Sequence, residues 1–263
     1  MTNAELPVVL TIAGSDSGAG AGIQADLLTF SAHGVFGTTA ITCLTAQNPD
    51  GVTAIEALPA AFVLEQILQV HRGFTLRALK TGMLHSAAIV TAVADFLRSA
   101  PRIPAVIDPV MVATSGAVLL EPPALAAMKE NLLSRAMLVT PNLDEVAALL
   151  GERPATVAAM IEAGRGLAQI YGTAFLVKGG HLSGDELADV LVTPDGHATT
   201  YRSRRVPGVD THGSGCTLSA AIAANLARGL KLDAAVEAAR AYLRRGLERG
   251  LWVGQRRLIN HHP

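Results

Sequence analysis

The chain has 263 residues, half of them hydrophobic but only 4% aromatic, so its core must be built from Ala, Leu, Val and Ile. A formal net charge of −1 leaves no basic excess to neutralise a nucleic-acid backbone. Two cysteines, Cys43 and Cys216, make no disulfide framework. No apolar run approaches the roughly 20 residues of a membrane span. The first such run, Val8 to Ala13, is too short for a signal-peptide core. These features predict a cytoplasmic protein with reduced thiols and neither a nucleic-acid nor a membrane partner.

Val8 to Ala13 reads as a buried strand, followed by the glycine loop Gly14 to Gly22 and a helix from Ile23 to about Ala32. The glycine spacing is neither the dinucleotide fingerprint nor a P-loop, because no Gly-Lys-Ser/Thr occurs in the chain. Four glycines after a strand suggest that backbone comes close to a ligand. Asp26 falls early in the helix, where it either balances the dipole or faces the cleft at the strand end. Val35 to Ala46 is a second strand, running into the turn-rich Gln47 to Gly51. The Gln47 amide can both donate and accept, as the edge of a heterocycle requires, or can simply satisfy loop backbone. Val52 to Leu58 is a short strand, and Pro59 to about Val70 a helix begun at proline.

Leu76 to Lys80 reads as a strand leading to Thr81-Gly82-Met83-Leu84, and Ser86 caps a helix to about Arg98. Pro104 to Ile107 is a buried strand ending at Asp108-Pro109-Val110-Met111. Pro122 to Leu133 is helical. Met137 to Val139 is a strand before Thr140 to Glu145, where Asn142 and Glu145 have the spacing of a capping box. The same pair also suits water-mediated Mg²⁺ contacts near Asp108. Pro154 to Tyr171 is a long helix, and Thr173 to Val177 a strand ending in Lys178-Gly179-Gly180-His181. Leu187 to Thr193 and Thr199 to Arg205 form a hairpin about Pro194-Asp195-Gly196. A helix to about Arg228 and an amphipathic helix from Leu232 to about Leu247 follow the stretch Gly208 to Thr217. The basic tail, from about 250 to 263, carries no pattern.

Strands and helices alternate without a linker, which predicts one α/β domain over residues 1–263. The expected form is a mostly parallel sheet in a three-layer α/β/α sandwich, with the 52–58 strand as a small flap. In such a sheet the loops at the strands' carboxyl ends gather along one edge. They bring acids for a cation, a lysine, and the glycine turn before Cys216, the parts that phosphoryl transfer needs. Gly213 and Gly215 allow a tight turn into a helix whose first N–H groups can hold an anion. Cys216 stands in that first turn, where the same field favours thiolate.

The motifs, in order along nearly the whole chain, resemble the ribokinase-like superfamily. Within it they are similar to the hydroxymethylpyrimidine/phosphomethylpyrimidine kinases of thiamine biosynthesis. They are Ala13 to Asp26, Thr45-Ala46-Gln47-Asn48, Lys80 to Leu84, Asp108 to Met111, Thr140 to Glu145, Lys178 to His181 and Thr211 to Thr217. The resemblance implies ATP and Mg²⁺ as cofactors and a homodimer through the flap edge. Gln47 would read the aminopyrimidine edge, Asp26 and Gly14 would hold other substrate atoms, and Met83 and Val110 would form apolar walls. Asp108 and Glu145 would organise Mg²⁺. Asn142, Lys178, Thr211, Gly213 and Ser214 would hold the nucleotide phosphates. Gly213, Gly215 and Lys178 would serve catalysis with Cys216, as a base or by orienting the substrate hydroxyl. The tail lacks the family's Gly-x-Gly-Pro segment; Val253 to His262 stands in its place. A pyridoxal or pyridoxine kinase is the alternative, and a silent pyrimidine-binding regulatory domain a third reading.

Overall fold

A nine-stranded sheet in the order β3-β2-β1-β4-β5-β6-β7-β8-β9 forms the middle layer of the computed structural model, which describes residues 5–112, 119–180 and 185–263. Its strands are β1 (Val8–Asp16), β2 (Phe36–Asn48), β3 (Gly51–Ala57), β4 (Leu76–Thr81), β5 (Ala105–Ile107), β6 (Leu138–Val139), β7 (Ala174–Lys178), β8 (Glu186–Val192) and β9 (Ala198–Arg204). The pairings from β2 through β7 are parallel. β3 closes one edge antiparallel to β2, and β8 and β9 close the other. The expected flap is therefore an edge strand of the same sheet.

The parallel strands are continuous apolar runs because both their faces are covered. Side chains alternate sides along β1: Leu10 and Ile12 enter one core and Val9 the other. On the first face pack α2 (Ala60–Gly73), α3 (Ala87–Ser99), α4 (Pro122–Ala127), α5 (Leu143–Leu150) and α6 (Val157–Tyr171). On the second lie α1 (Gly22–Ala32), α7 (Ser214–Ala227) and α8 (Leu232–Glu248). Every residue of α7 from Thr217 to Ala227 is buried. A largely apolar helix suits this central position, and its many alanines let the sheet, α1 and α8 approach closely.

Several boundaries differ from the sequence reading. Gln47 and Asn48 continue β2 instead of starting the turn. Pro59 sits at the N-cap of α2 rather than inside it. The expected helix from Pro122 to Leu133 keeps α-geometry only to Ala127, then widens into a π-turn over Met128–Leu132 and tightens over Leu133–Arg135. α6 starts at Val157, capped by Thr156, so Pro154 lies outside it. The tail, without pattern in the sequence, is ordered. β10 (Leu251–Val253) and β11 (Arg256–Leu258) pair as an antiparallel hairpin around Gly254, which has φ 59°. Strands of three residues, one exposed and one half-buried, are too short to carry a hydrophobic alternation.

Candidate active site

The strand order reverses between β1 and β4, the position where open α/β sheets bind ligands. A cavity of about 650 Å³ opens there, along the carboxyl ends of the parallel strands. Gly14, Gln47, Met83, Asp108, Val110, Asn142, Glu145 and Lys178 line it, together with Thr211, Gly213, Ser214, Gly215 and Cys216. Gln47 and Cys216, 169 residues apart by position, thus share one cavity. His181 lies outside the described residues.

One end of the cleft is formed by the start of α7. Gly213 caps α7 with φ 78°, and a Cβ there would sit 1.8 Å from the Gly20 carbonyl oxygen, so only glycine fits. Gly215 and Cys216 follow in the first turn, whose N–H groups have no partner inside the helix. The Ser214 N–H is turned back to the Thr211 carbonyl at 3.0 Å. A Cβ on Gly215 would lie 3.3 Å from Lys178 Nζ and 3.7 Å from Asp108 Oδ2. The glycine therefore lets the helix start come right up to that ion pair.

Lys178 donates to Asp108 Oδ1 at 2.9 Å. Asp108 is buried and also accepts from Thr140 at 3.2 Å and Ser219 at 3.1 Å. Burial alone would push its carboxyl up, but Lys178 and then Lys80 outweigh burial and hold it below the usual range. Asn142 caps α5: its Oδ1 accepts from the Asp144 and Glu145 N–H groups, while Glu145 Oε2 accepts from the Asn142 N–H at 2.7 Å. The capping box read from the sequence is present. It does not exclude the second reading, because using up the Asn142 oxygen leaves its amide nitrogen free to donate. Burial and, less strongly, Asp108 push the Glu145 carboxyl up while Lys178 pulls it down, leaving it raised to about 7.

The donor set fits Mg²⁺ only in its usual loose mode. Among the described residues no group of three or more His, Cys, Asp or Glu side chains is placed to cage a metal. Two carboxylates on one wall match an ion that keeps waters and takes most of its ligands from phosphate.

The other end of the cleft is apolar and narrow. Met83, Leu119 and Cys43 pack together, with Val110 against them. A Cβ on Gly14 would meet Cys43 Sγ at 2.7 Å, so a bare backbone forms the floor there. Gln47 contacts Thr45 and His212.

Asp26 departs from expectation. It lies beyond the first turn of α1 and does not line the cleft. It is fully buried beneath it, bonded to Lys80 Nζ at 2.9 Å through both oxygens and to Thr11 at 2.6 Å. Burial disfavours the Lys80 ammonium, but Asp26, then Cys216 and Asp108, hold it charged. The thiolate expectation for Cys216 is also corrected. Burial pushes the thiol up and Lys80 pulls it down, while Asp26 and Asp108 add to burial, so the net shift is upward. The sulfur is hemmed in by protein and lies near two acids, although its residue is half-buried at the cleft.

Sequence reasoning gave no role to Lys80, Ser219, Asp16 or His212. A lysine closing an apolar strand was a signal for Lys80, but nothing in the sequence paired it with an acid 54 residues away.

Residues 16–260 match the phosphomethylpyrimidine kinase family. A hydroxymethylpyrimidine/phosphomethylpyrimidine kinase of Rhizobium meliloti is 47% identical over 260 residues, covering 97% of this chain and 96% of the relative. The structure of a phosphomethylpyrimidine kinase from Clostridium difficile 630 superposes with a TM-score of 0.80 at 38% identity, over 91% of this chain and 98% of that one. An ADP complex of Bacillus subtilis pyridoxal kinase superposes with a TM-score of 0.90 at 33% identity, over 98% of both chains. With a doubly covered parallel sheet, and a glycine-capped helix start beside a lysine–aspartate pair in one cleft, the chain belongs to the phosphomethylpyrimidine kinase family and is a ribokinase-like phosphotransferase.

Proposed function

We propose that the chain transfers the γ-phosphoryl group of ATP to the hydroxymethyl oxygen of 4-amino-5-hydroxymethyl-2-methylpyrimidine, and then a second one to the monophosphate, in thiamine biosynthesis. The observation that carries this reading is the single cavity shared by Gln47, Cys216 and the start of α7. The substrate oxygen attacks the γ-phosphorus, the bond to the β-phosphate oxygen breaks, ADP leaves and the hydroxyl loses its proton. The α7 amides at Gly213, Gly215 and Cys216 receive the migrating charge, with Lys178 beside Gly215 to follow it. Mg²⁺, held by phosphate oxygens and waters with Asp108 and Glu145, would neutralise charge on the phosphates.

Asn142, Thr211 and Ser214 border the same end and hold the nucleotide. Gln47 reads the amino and ring-nitrogen edge, with Gly14, Met83 and Val110 around the ring. Asp26 acts from below by keeping Lys80 in place. Cys216, a neutral thiol, orients the hydroxyl as a hydrogen-bond partner; the hydroxyl proton passes to an oxygen of the transferred phosphoryl group and on to water, since loose transfer asks little of a base. The reading includes a cytoplasmic protein, consistent with two free cysteines. It also includes a homodimer through the free edge of β3, beside which Leu44 is exposed.

Incubation with ATP, Mg²⁺ and each pyrimidine tests the reading. Both the mono- and diphosphate are expected; no turnover on either ends it. Comparison of kcat/KM with pyridoxal decides between the vitamin substrates, because only differential transition-state binding discriminates.

A further inference from the structure

We infer that His212 is a specificity-determining positioning residue. It fixes which end of the Gln47 carboxamide is oxygen, and so which way round a ring with adjacent donor and acceptor docks. The inference rests on the substrate reading above and deepens it. His212 Nε2 lies 3.0 Å from Asp16 Oδ2 and 3.1 Å from the Nε2 position of Gln47. The other end of the Gln47 amide, the Oε1 position, is 3.2 Å from Thr45 Oγ1, which itself lies 2.9 Å from the Ser15 carbonyl oxygen. The two ends of a carboxamide are alike in shape, and their partners tell them apart.

The proton count is closed at both ends. Asp16 is 3% exposed and accepts from the Gly18 and Ala21 N–H groups, each at 2.8 Å. Burial pushes its carboxyl up, but the His212 bond and these N–H groups outweigh burial, so it is an ionised acceptor. The His212 nitrogen facing it must therefore carry a proton. That one proton is shared in a three-centre bond between Asp16 and the amide end beside it, which can then only accept, so the oxygen points to His212. Thr45 has one hydroxyl proton, and the Ser15 carbonyl can only accept it. The hydroxyl then offers lone pairs to Gln47, so the nitrogen points to Thr45. The two ends reach the same orientation independently.

A carboxamide has two donor and two acceptor positions. His212 uses one acceptor and Thr45 one donor. One of each remains for the ligand, the acceptor on the His212 side and the donor on the Thr45 side. An aminopyrimidine then docks with its amino group towards His212 and its ring nitrogen towards Thr45. The imidazole cannot turn away easily. Its backbone N–H is bonded to Asp210 at 2.9 Å, and a Cβ on Gly20 would meet the ring at 2.5 Å.

Nitrogen-15 spectra of the histidine rings in the full-length protein test the assignment without any substitution. A protonated Nε2 on His212 is expected, and a bare Nε2 overturns the inference. Kinetics supply a second test. His212→Leu should raise the aminopyrimidine KM about tenfold, equivalent to about 1.4 kcal/mol, with the ATP KM little changed. Preference over the analogue lacking the 4-amino group should fall by a similar factor, and His212→Gln, which keeps a donor, should restore part of it. A lower melting temperature with the KM and the preference unchanged makes His212 merely structural and overturns the inference. A wild-type chain inert towards the aminopyrimidine would sink the function reading alone, with the ring spectrum still deciding the amide orientation.

Discussion

Lys80 and Asp26 form a wholly buried ion pair under the cleft. Removing one partner leaves an uncompensated charge, so Lys80→Met should cost about 3–5 kcal/mol in urea unfolding. Replacement of both partners by apolar residues should cost less than either alone. Cys216 carries a different prediction. Because its thiol is pushed up, thiolate appears only above the ordinary thiol pKa of about 8.5. Alkylation of Cys216 by iodoacetamide should be slow at neutral pH and climb steeply at alkaline pH; a plateau near pH 7 would refute this. The sign for stability follows. The contribution of the neutral thiol is complete below the unfolded-chain pKa and fades as pH rises through the higher folded value. Cys216→Ser should accordingly keep measurable turnover, with a loss on the order of tenfold, or about 1.4 kcal/mol. Gln47→Ala should raise the pyrimidine KM and leave the ATP KM nearly unchanged, as steady-state kinetics would show.

At the scale of elements, the start of α7 decides the chemistry. Gly215→Ala would press a methyl group to 3.3 Å from Lys178 Nζ, the mobile end of a side chain. The expected outcome is a loss of kcat of roughly tenfold with little change in the urea midpoint, the signature of a misplaced phosphoryl contact. Gly213→Ala meets backbone instead of a flexible tip, at a positive φ. It should destabilise the fold itself by more than the about 1–3 kcal/mol of backbone strain. This contrast between neighbouring glycines could be anticipated only in part from sequence. The Gly-Ser-Gly-Cys turn announced a tight helix start, but which glycine faces side chain and which faces backbone depends on the Gly14 to Gly22 loop, distant in the chain.

For the molecule as a whole, the tail is a strap across elements that surround the cleft. Arg256 bonds Asp210 at 3.1 Å and also Asp50, so the β2–β3 turn and the approach to α7 are tied together. His261 meets Thr217 at 3.1 Å, and Tyr242 donates to the His261 carbonyl at 2.7 Å. Deletion of residues 250–263 should lower both the melting temperature and kcat; an unaltered kcat would show that the strap serves stability alone.

The alternation of strands and helices, the parallel sheet and the acids, lysine and glycine turn gathered in the loops were all legible in the residues. These depend on local periodicity, on glycine and proline, and on the strict rules for crossing between parallel strands. The sequence also located the capping box at Asn142 and Glu145, because a cap is satisfied within one turn of chain. Folding in three dimensions was needed to set Asp26 with Lys80 beneath the cleft, to bury the Cys216 thiol so that its pKa rises, to bring His212 between Asp16 and Gln47, and to order the tail. Burial, charge pairing and proton counting arise among residues far apart in sequence, and no periodicity within a segment records them.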